Sequence, residues 1–109
     1  MTHDEVEKTV QIQALEVDPG PMNHGTTLRQ ALVPAEKITI TFRIVQNGTI
    51  KEHNEEVWLV GRGPSDGGYR IIMREDELQF GLASKGFPHD EFPVFVGWYG
   101  SLKSAFLAM

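Results

Sequence analysis

Six side chains in this sequence are candidates for chemistry or recognition. Glu52, His53, Glu55 and Glu56 lie in the polar run KEHNEE, and Trp98-Tyr99 lies near the end of the chain. His53 and Glu56 form an H-x-x-E pair, which on a helix would share a face and offer two ligands to a zinc-like cation. On a strand, a separation of three puts them on opposite faces. His24 and the segment His89-Asp90-Glu91 are further ligand sources, but no spacing ties them to His53, so no metal or other cofactor is assigned. The neighbouring carboxylates Glu55 and Glu56 would work as an acid–base pair only in a pocket that shifts their pKa values, and no sequence pattern builds one.

Other routes to catalysis are also missing. There is no G-x-S-x-G elbow, and the absence of cysteine removes thiolate nucleophiles and disulfides. GRGPSDGG, residues 61–68, has the glycines of a phosphate loop but not the G-x-x-x-x-G-K-[ST] or G-x-G-x-x-G spacing. It also falls between two expected strands, with no helix N-terminus to hold an anion. It reads as a turn, with Arg62 the one residue in it suited to a phosphate. Trp98, Tyr99 and Trp58 suit either core packing or a binding hot spot.

The net charge is −5, from fifteen acidic and ten basic residues. That argues against direct nucleic-acid binding, which needs a basic face, and clumped carboxylates favour a partner with a basic surface. No apolar run approaches the roughly 18 residues of a membrane span, and the start, MTHDEVEK, lacks the apolar stretch of a secretion signal. The expectation is a soluble cytoplasmic protein with no membrane partner, folded as one domain over residues 1–109.

The elements that must position the candidates centre on residues 37–61. Ile38, Ile40, Phe42 and Ile44 alternate with polar residues, the period of a half-buried strand. Asn47-Gly48 then predicts a type I′ hairpin. That turn pairs Val45 with Ile50 and Arg43 with Glu52, but it also sets Ile44, Phe42 and Ile40 beside Lys51, His53 and Glu55. Such partners conflict with a core face, so KEHNEE is expected to leave the sheet as a loop or a twisted overhanging tip, with pairing resuming at Val57. A second hairpin around residues 74–77 pairs Met73 with Leu78, Ile71 with Phe80 and Tyr69 with Leu82, all six facing the core.

Residues 7–15 alternate Val10, Ile12 and Ala14 and read as a strand with one wet face. Thr26-Thr27 can cap a short helix from Leu28 that stops before Pro34. Residues 94–98 add a strand. Leu102, Ala105, Phe106 and Met109 share one helix face behind a Ser101 cap. The fold expected is α+β: an antiparallel, meander-like sheet of five or six strands with a short C-terminal helix on one face.

The closing GWYGSLKSAFLAM resembles the strand-plus-helix ending of several small bacterial and phage families, immunity and inhibitor proteins among them. The small size, the acidic charge and the lack of catalytic motifs fit a non-catalytic protein-binding protein of immunity or inhibitor type, of bacterial or phage origin. The alternatives are a small enzyme or small-ligand binder with a pocket between sheet and helix, and an acidic nucleic-acid mimic that blocks a nucleic-acid enzyme.

Overall fold

The fold is seen in a computed structural model that describes residues 1–15, 22–23, 26–63, 68–86, 88 and 90–109. In chain order it has α1 (His3–Leu15), the two-residue strands β1 (Met22–Asn23) and β2 (Thr26–Thr27), α2 (Leu28–Ala31), β3 (Leu32–Gln46), β4 (Thr49–Arg62), β5 (Tyr69–Arg74), a 3-10 turn (Asp76–Leu78), β6 (Gln79–Ser84), β7 (Val94–Gly100) and α3 (Leu102–Ala108). The fold is α+β with five main strands, and α3 packs on the sheet as expected. The sheet, however, is not an open meander. Strands β3 to β7 form a closed barrel in sequence order. Closure comes from β7 returning parallel to β3 at Thr41 and Val94, where the Thr41 N–H donates to the Pro93 carbonyl at 2.8 Å.

Residues 7–15 are helical, contrary to the strand reading. The helix starts earlier, on a capping box: Thr2 Oγ1 accepts from the Glu5 N–H at 3.2 Å, and Glu5 Oε1 accepts from the Thr2 N–H at 2.9 Å. Val6, Val10 and Ala14 are buried at intervals of four, while Ile12 is 52% exposed. Two long-range bonds fix the helix in place. Glu7 Oε1 accepts from the Ala35 N–H at 2.6 Å, and Gln13 Oε1 accepts from the Leu102 N–H at 2.9 Å. The short helix α2 forms where expected, with Thr27 and Gln30 as its capping box. Ser101 caps α3, accepting from the Ser104 N–H.

The two faces of the sheet carry two cores. Trp58, Val60, Ile71, Met73, Phe80 and Leu82 pack under the three helices, against Val6, Val10, Leu28, Leu102 and Phe106. Ile40, Phe42, Val57, Ile72 and Ala83, with Ile38, Phe95 and Trp98, form the second cluster. All five strands supply it and no helix does, so it fills the barrel.

The first hairpin has the expected register, with Asn47 and Gly48 both at positive φ. KEHNEE nevertheless does not leave the sheet. It is part of a continuous β4, with Lys51 opposite Ile44, His53 opposite Phe42 and Glu55 opposite Ile40. The polar partners are tolerated because β4 runs in solvent here while its β3 neighbours Ile40 and Phe42 stay buried by the other strands; from residue 44 to residue 56 the two strands form an exposed arm. The second hairpin pairs Met73 with Phe80 and Ile71 with Leu82, two residues from the expected register. Ile71, Met73, Phe80 and Leu82 still face the core, but Tyr69 and Leu78 are exposed.

This division predicts a split in stability. Ile71→Ala and Phe80→Ala should each cost about 2–5 kcal/mol in denaturant unfolding, whereas Tyr69→Ala and Leu78→Ala should each cost less than about 1 kcal/mol. Equal losses at all four positions would contradict the observed register.

Candidate functional site: an exposed hairpin arm and the cleft at its base

The arm is held at its base by polar contacts. Arg43 sits between two carboxylates: its Nη2 donates to Asp90 Oδ1 at 2.8 Å, and its Nε lies 3.3 Å from Glu52 Oε1. The hydrogen bond to Asp90, then that to Glu52, push the guanidinium pKa further up. Thr41 Oγ1 donates to Asn54 Oδ1 at 3.0 Å across the ladder. On the other face the His53 ring stacks on Phe42 at 5.0 Å with 6° between planes, and Phe42 meets Phe95 at 4.5 Å. His53 Nε2 is 3.3 Å from Glu55 Oε2. Beyond these contacts the tip is apolar and wet: Ile44, Val45 and Ile50 are 51%, 71% and 60% exposed.

Where β4 re-enters the barrel, a cleft of about 170 Å³ opens between β3, β4, the β5–β6 turn and β7. Glu55, Glu56, Glu75 and Asp76 line it, together with Trp58, Trp98, Lys37 and Arg74. Lys37 Nζ lies 5.4 Å from the Trp58 ring centre, and the Arg74 guanidinium lies 4.9 Å from that of Trp98, both within cation–π range. Arg74 Nη2 donates to Glu77 at 2.6 Å, and its buried Nε has no hydrogen-bond partner among the described residues. The indole Nε1 of Trp58 donates to Glu75 Oε1 at 2.9 Å, and the same oxygen receives the Met1 ammonium at 2.8 Å. The ammonium first, then the indole, hold Glu75 below the usual carboxylate range. Glu75 therefore stays an anion and is a poor proton donor near neutral pH. With four carboxylates against Lys37, Arg74 and the Met1 ammonium, the cleft keeps a net negative charge, which favours a positively charged group.

A glycine sets the position of Trp98. A Cβ at Gly81 would collide with the Gly97 carbonyl and come within 2.6 Å of the Trp98 ring. Only a bare backbone on β6 lets the indole lie across it to the cleft.

The six residues singled out in the sequence are thus partly gathered. Glu55, Glu56 and Trp98 share the cleft. Glu52 turns instead to Arg43, and His53 to Phe42 and Glu55. Tyr99 is exposed on β7 and does not line the cleft. His53 and Glu56 are on opposite faces of a strand, and His24 and His89 lie outside the described residues, as do residues 64–67 of the Gly-rich turn. Arg62, at its edge, is 3.9 Å from Glu36. Lys37, Arg74, Glu75 and Asp76 were not singled out; no local spacing connects them to Trp58 or Trp98. Comparison of the chain with protein-family models, with curated proteins and with solved structures returned no match.

Two outcomes check this geometry. A depressed carboxylate stabilises the fold above its unfolded-state pKa, and that contribution is lost as pH falls through the lowered folded value. Glu75→Gln should therefore lower stability at neutral pH and converge with the parent in acid; a difference independent of pH would contradict the contacts. Gly81→Ala should displace Trp98 and change the tryptophan fluorescence of the folded protein. An unchanged spectrum would show that the indole does not need the bare backbone.

Proposed function

We propose that this chain is a small non-catalytic protein-binding protein of the immunity or inhibitor type, and that it presents the β3–β4 arm and the acidic cleft at its base to a partner with a basic surface. One observation supports this most: a fully paired hairpin extends out of the barrel with Ile44, Val45 and Ile50 in solvent and Glu52, Glu55 and Glu56 beside them. Apolar groups left on a protruding element favour contact with another protein. Acidic neighbours attract a basic partner at longer range and raise its association rate more than its final affinity.

The frame around the arm suits that role. Arg43, Asp90 and Glu52 hold its base, and the Phe42–His53 stack stiffens one face, so little ordering would remain to be done on binding. In the cleft, carboxylates flank two indoles, surroundings suited to a lysine or arginine side chain.

The test uses a partner captured from cells of the source organism and measured by surface plasmon resonance. Glu55→Lys with Glu56→Lys should slow association, and added salt should shrink the difference from the parent. The control is Asp4→Lys with Glu36→Lys, which changes net charge equally at exposed positions away from the arm. Glu5 and Glu7 do not serve as controls, because Glu5 caps α1 and Glu7 holds the Ala35 N–H. Equal slowing by both pairs would show that only overall charge matters. No slowing by the arm pair would contradict the proposed surface.

A further inference from the structure

We propose that the outer edge of β4, residues 50–56, accepts an extended basic segment of another protein as a third strand of the arm. This rests on the protein-binding reading above and specifies the form of the partner. The two-residue turn makes Gln46 and Thr49 a pair that exchanges backbone hydrogen bonds, and alternation then gives the same role to Ile44–Lys51 and Phe42–His53. Between them lie Val45–Ile50, Arg43–Glu52 and Thr41–Asn54, whose N–H and C=O groups point away from the ladder. The Thr41 N–H confirms the phase, since it reaches outward to the Pro93 carbonyl at 2.8 Å.

On β4 the same phase turns the backbone groups of Ile50, Glu52, Asn54 and Glu56 outward. β5 takes up the β4 edge only from Trp58, opposite Met73, and among the described residues no strand pairs with it nearer the tip. Edges of this kind are usually blunted by proline, a bulge, a covering loop or charged side chains. Among the described residues only charges serve here, and being mostly acidic they turn away a second copy but not a basic segment. Residues 49–57 contain no proline or glycine, and their pairing to β3 has no bulge. A two-stranded ribbon in water is also only marginally stable, and a third strand is the usual remedy.

The side chains beside the edge indicate what that strand carries. Ile50, Glu52, Asn54 and Glu56 lie on one face of β4, and Lys51, His53 and Glu55 on the other. Where the edge meets the barrel, Glu75 and Asp76 line the cleft together with Glu55 and Glu56. A segment with basic side chains opposite Glu52, Glu55 and Glu56 and an apolar one opposite Ile50 matches this pattern.

The experiment uses the whole chain, labelled with nitrogen-15, and a capped peptide Lys-Lys-Thr-Thr-Lys-Thr-Val, which in antiparallel pairing sets lysines opposite Glu56, Glu55 and Glu52 and the valine opposite Ile50. Backbone pairing has a signature that side-chain attraction lacks. Saturating peptide should slow hydrogen exchange at the Ile50, Glu52, Asn54 and Glu56 amides at least tenfold, with little change at Lys51 and His53, which already bond to β3. The same peptide with glutamate in place of each lysine should have no effect. Asn54→Pro removes an outward donor and no backbone ladder bond, so it should weaken peptide binding at least tenfold. Asn54→Ala, which loses the same side-chain bond to Thr41 but keeps the donor, should not. Glu52→Lys should weaken binding too while keeping every backbone donor. Charge-dependent binding without the alternating protection would overturn the added strand but leave a basic partner in place, and that partner stands or falls on the association-rate experiment. Absence of binding would also overturn it. Alternating protection that appears without peptide as protein concentration rises would give the edge to a second copy, and that too would overturn the proposal.

Discussion

The pairing of β3 with β4 is the constraint on which the rest of the structure depends. The turn at Asn47-Gly48 and the register it dictates run unbroken from Gln46 opposite Thr49 to Glu36 opposite Leu59. The barrel uses only the lower part of this ladder. There Ile38, Ile40 and Phe42 meet Val57, Ile72 and Phe95, and the cluster they form is the interior. Among the described residues nothing covers the upper part, and its side chains are exposed on both faces. The arm is therefore a consequence of making two long strands from one turn while closing the barrel with shorter ones.

Closure is held at the point where barrel becomes arm. The Thr41 N–H binds Pro93, and two residues on Arg43 binds Asp90 from the same connection. A buried or half-buried ion pair contributes little net stability by itself, but here it fixes direction: it ties the connection before β7 to the base of the arm. The helices act on the opposite side. α1, α2 and α3 cover Trp58, Val60, Ile71, Met73, Phe80 and Leu82, and α1 is joined to α3 through Gln13 and Leu102. The N-terminal helix and the C-terminal helix thus stabilise one sheet face together, leaving the arm and the cleft as the features turned toward solvent.

Much of this was legible where local rules decide. The Asn-Gly turn, the pairs Val45–Ile50 and Arg43–Glu52, the Thr27 cap and the Ser101-capped helix all follow from short-range chemistry. The register of the second hairpin was legible only in part. A shift by two residues keeps every side chain on the same face, so burial of Ile71, Met73, Phe80 and Leu82 did not distinguish the alternatives. The positive φ angles of Glu77 and Leu78 place Leu78 in the turn. The N-terminal helix was misread because positions four apart share a face in a strand and in a helix alike. Apolar Ile12 favoured the strand although it ends up exposed, and the Thr2–Glu5 capping box was the signal that separates the two. Barrel closure and the cleft were not legible at all: each depends on contacts between residues far apart in sequence, such as Thr41 with Pro93 and Trp58 with Glu75. The conflict between apolar β3 and polar β4 was real, and the physical answer was that β4 runs in solvent while still paired, with Ile40 and Phe42 buried from the barrel side and only Ile44 exposed along with its partner.

The claim that carries the account is that residues 49–56 are a paired strand in solvent and not a loop. Cross-strand nuclear Overhauser effects between α-protons test it most directly, because in an antiparallel ladder these protons approach closely only in the pairs that do not exchange backbone bonds. The account predicts strong α-proton contacts for Thr41 with Asn54, Arg43 with Glu52 and Val45 with Ile50, with strand-like chemical shifts throughout. Absence of these contacts, with random-coil shifts from Lys51 to Glu56, would contradict it.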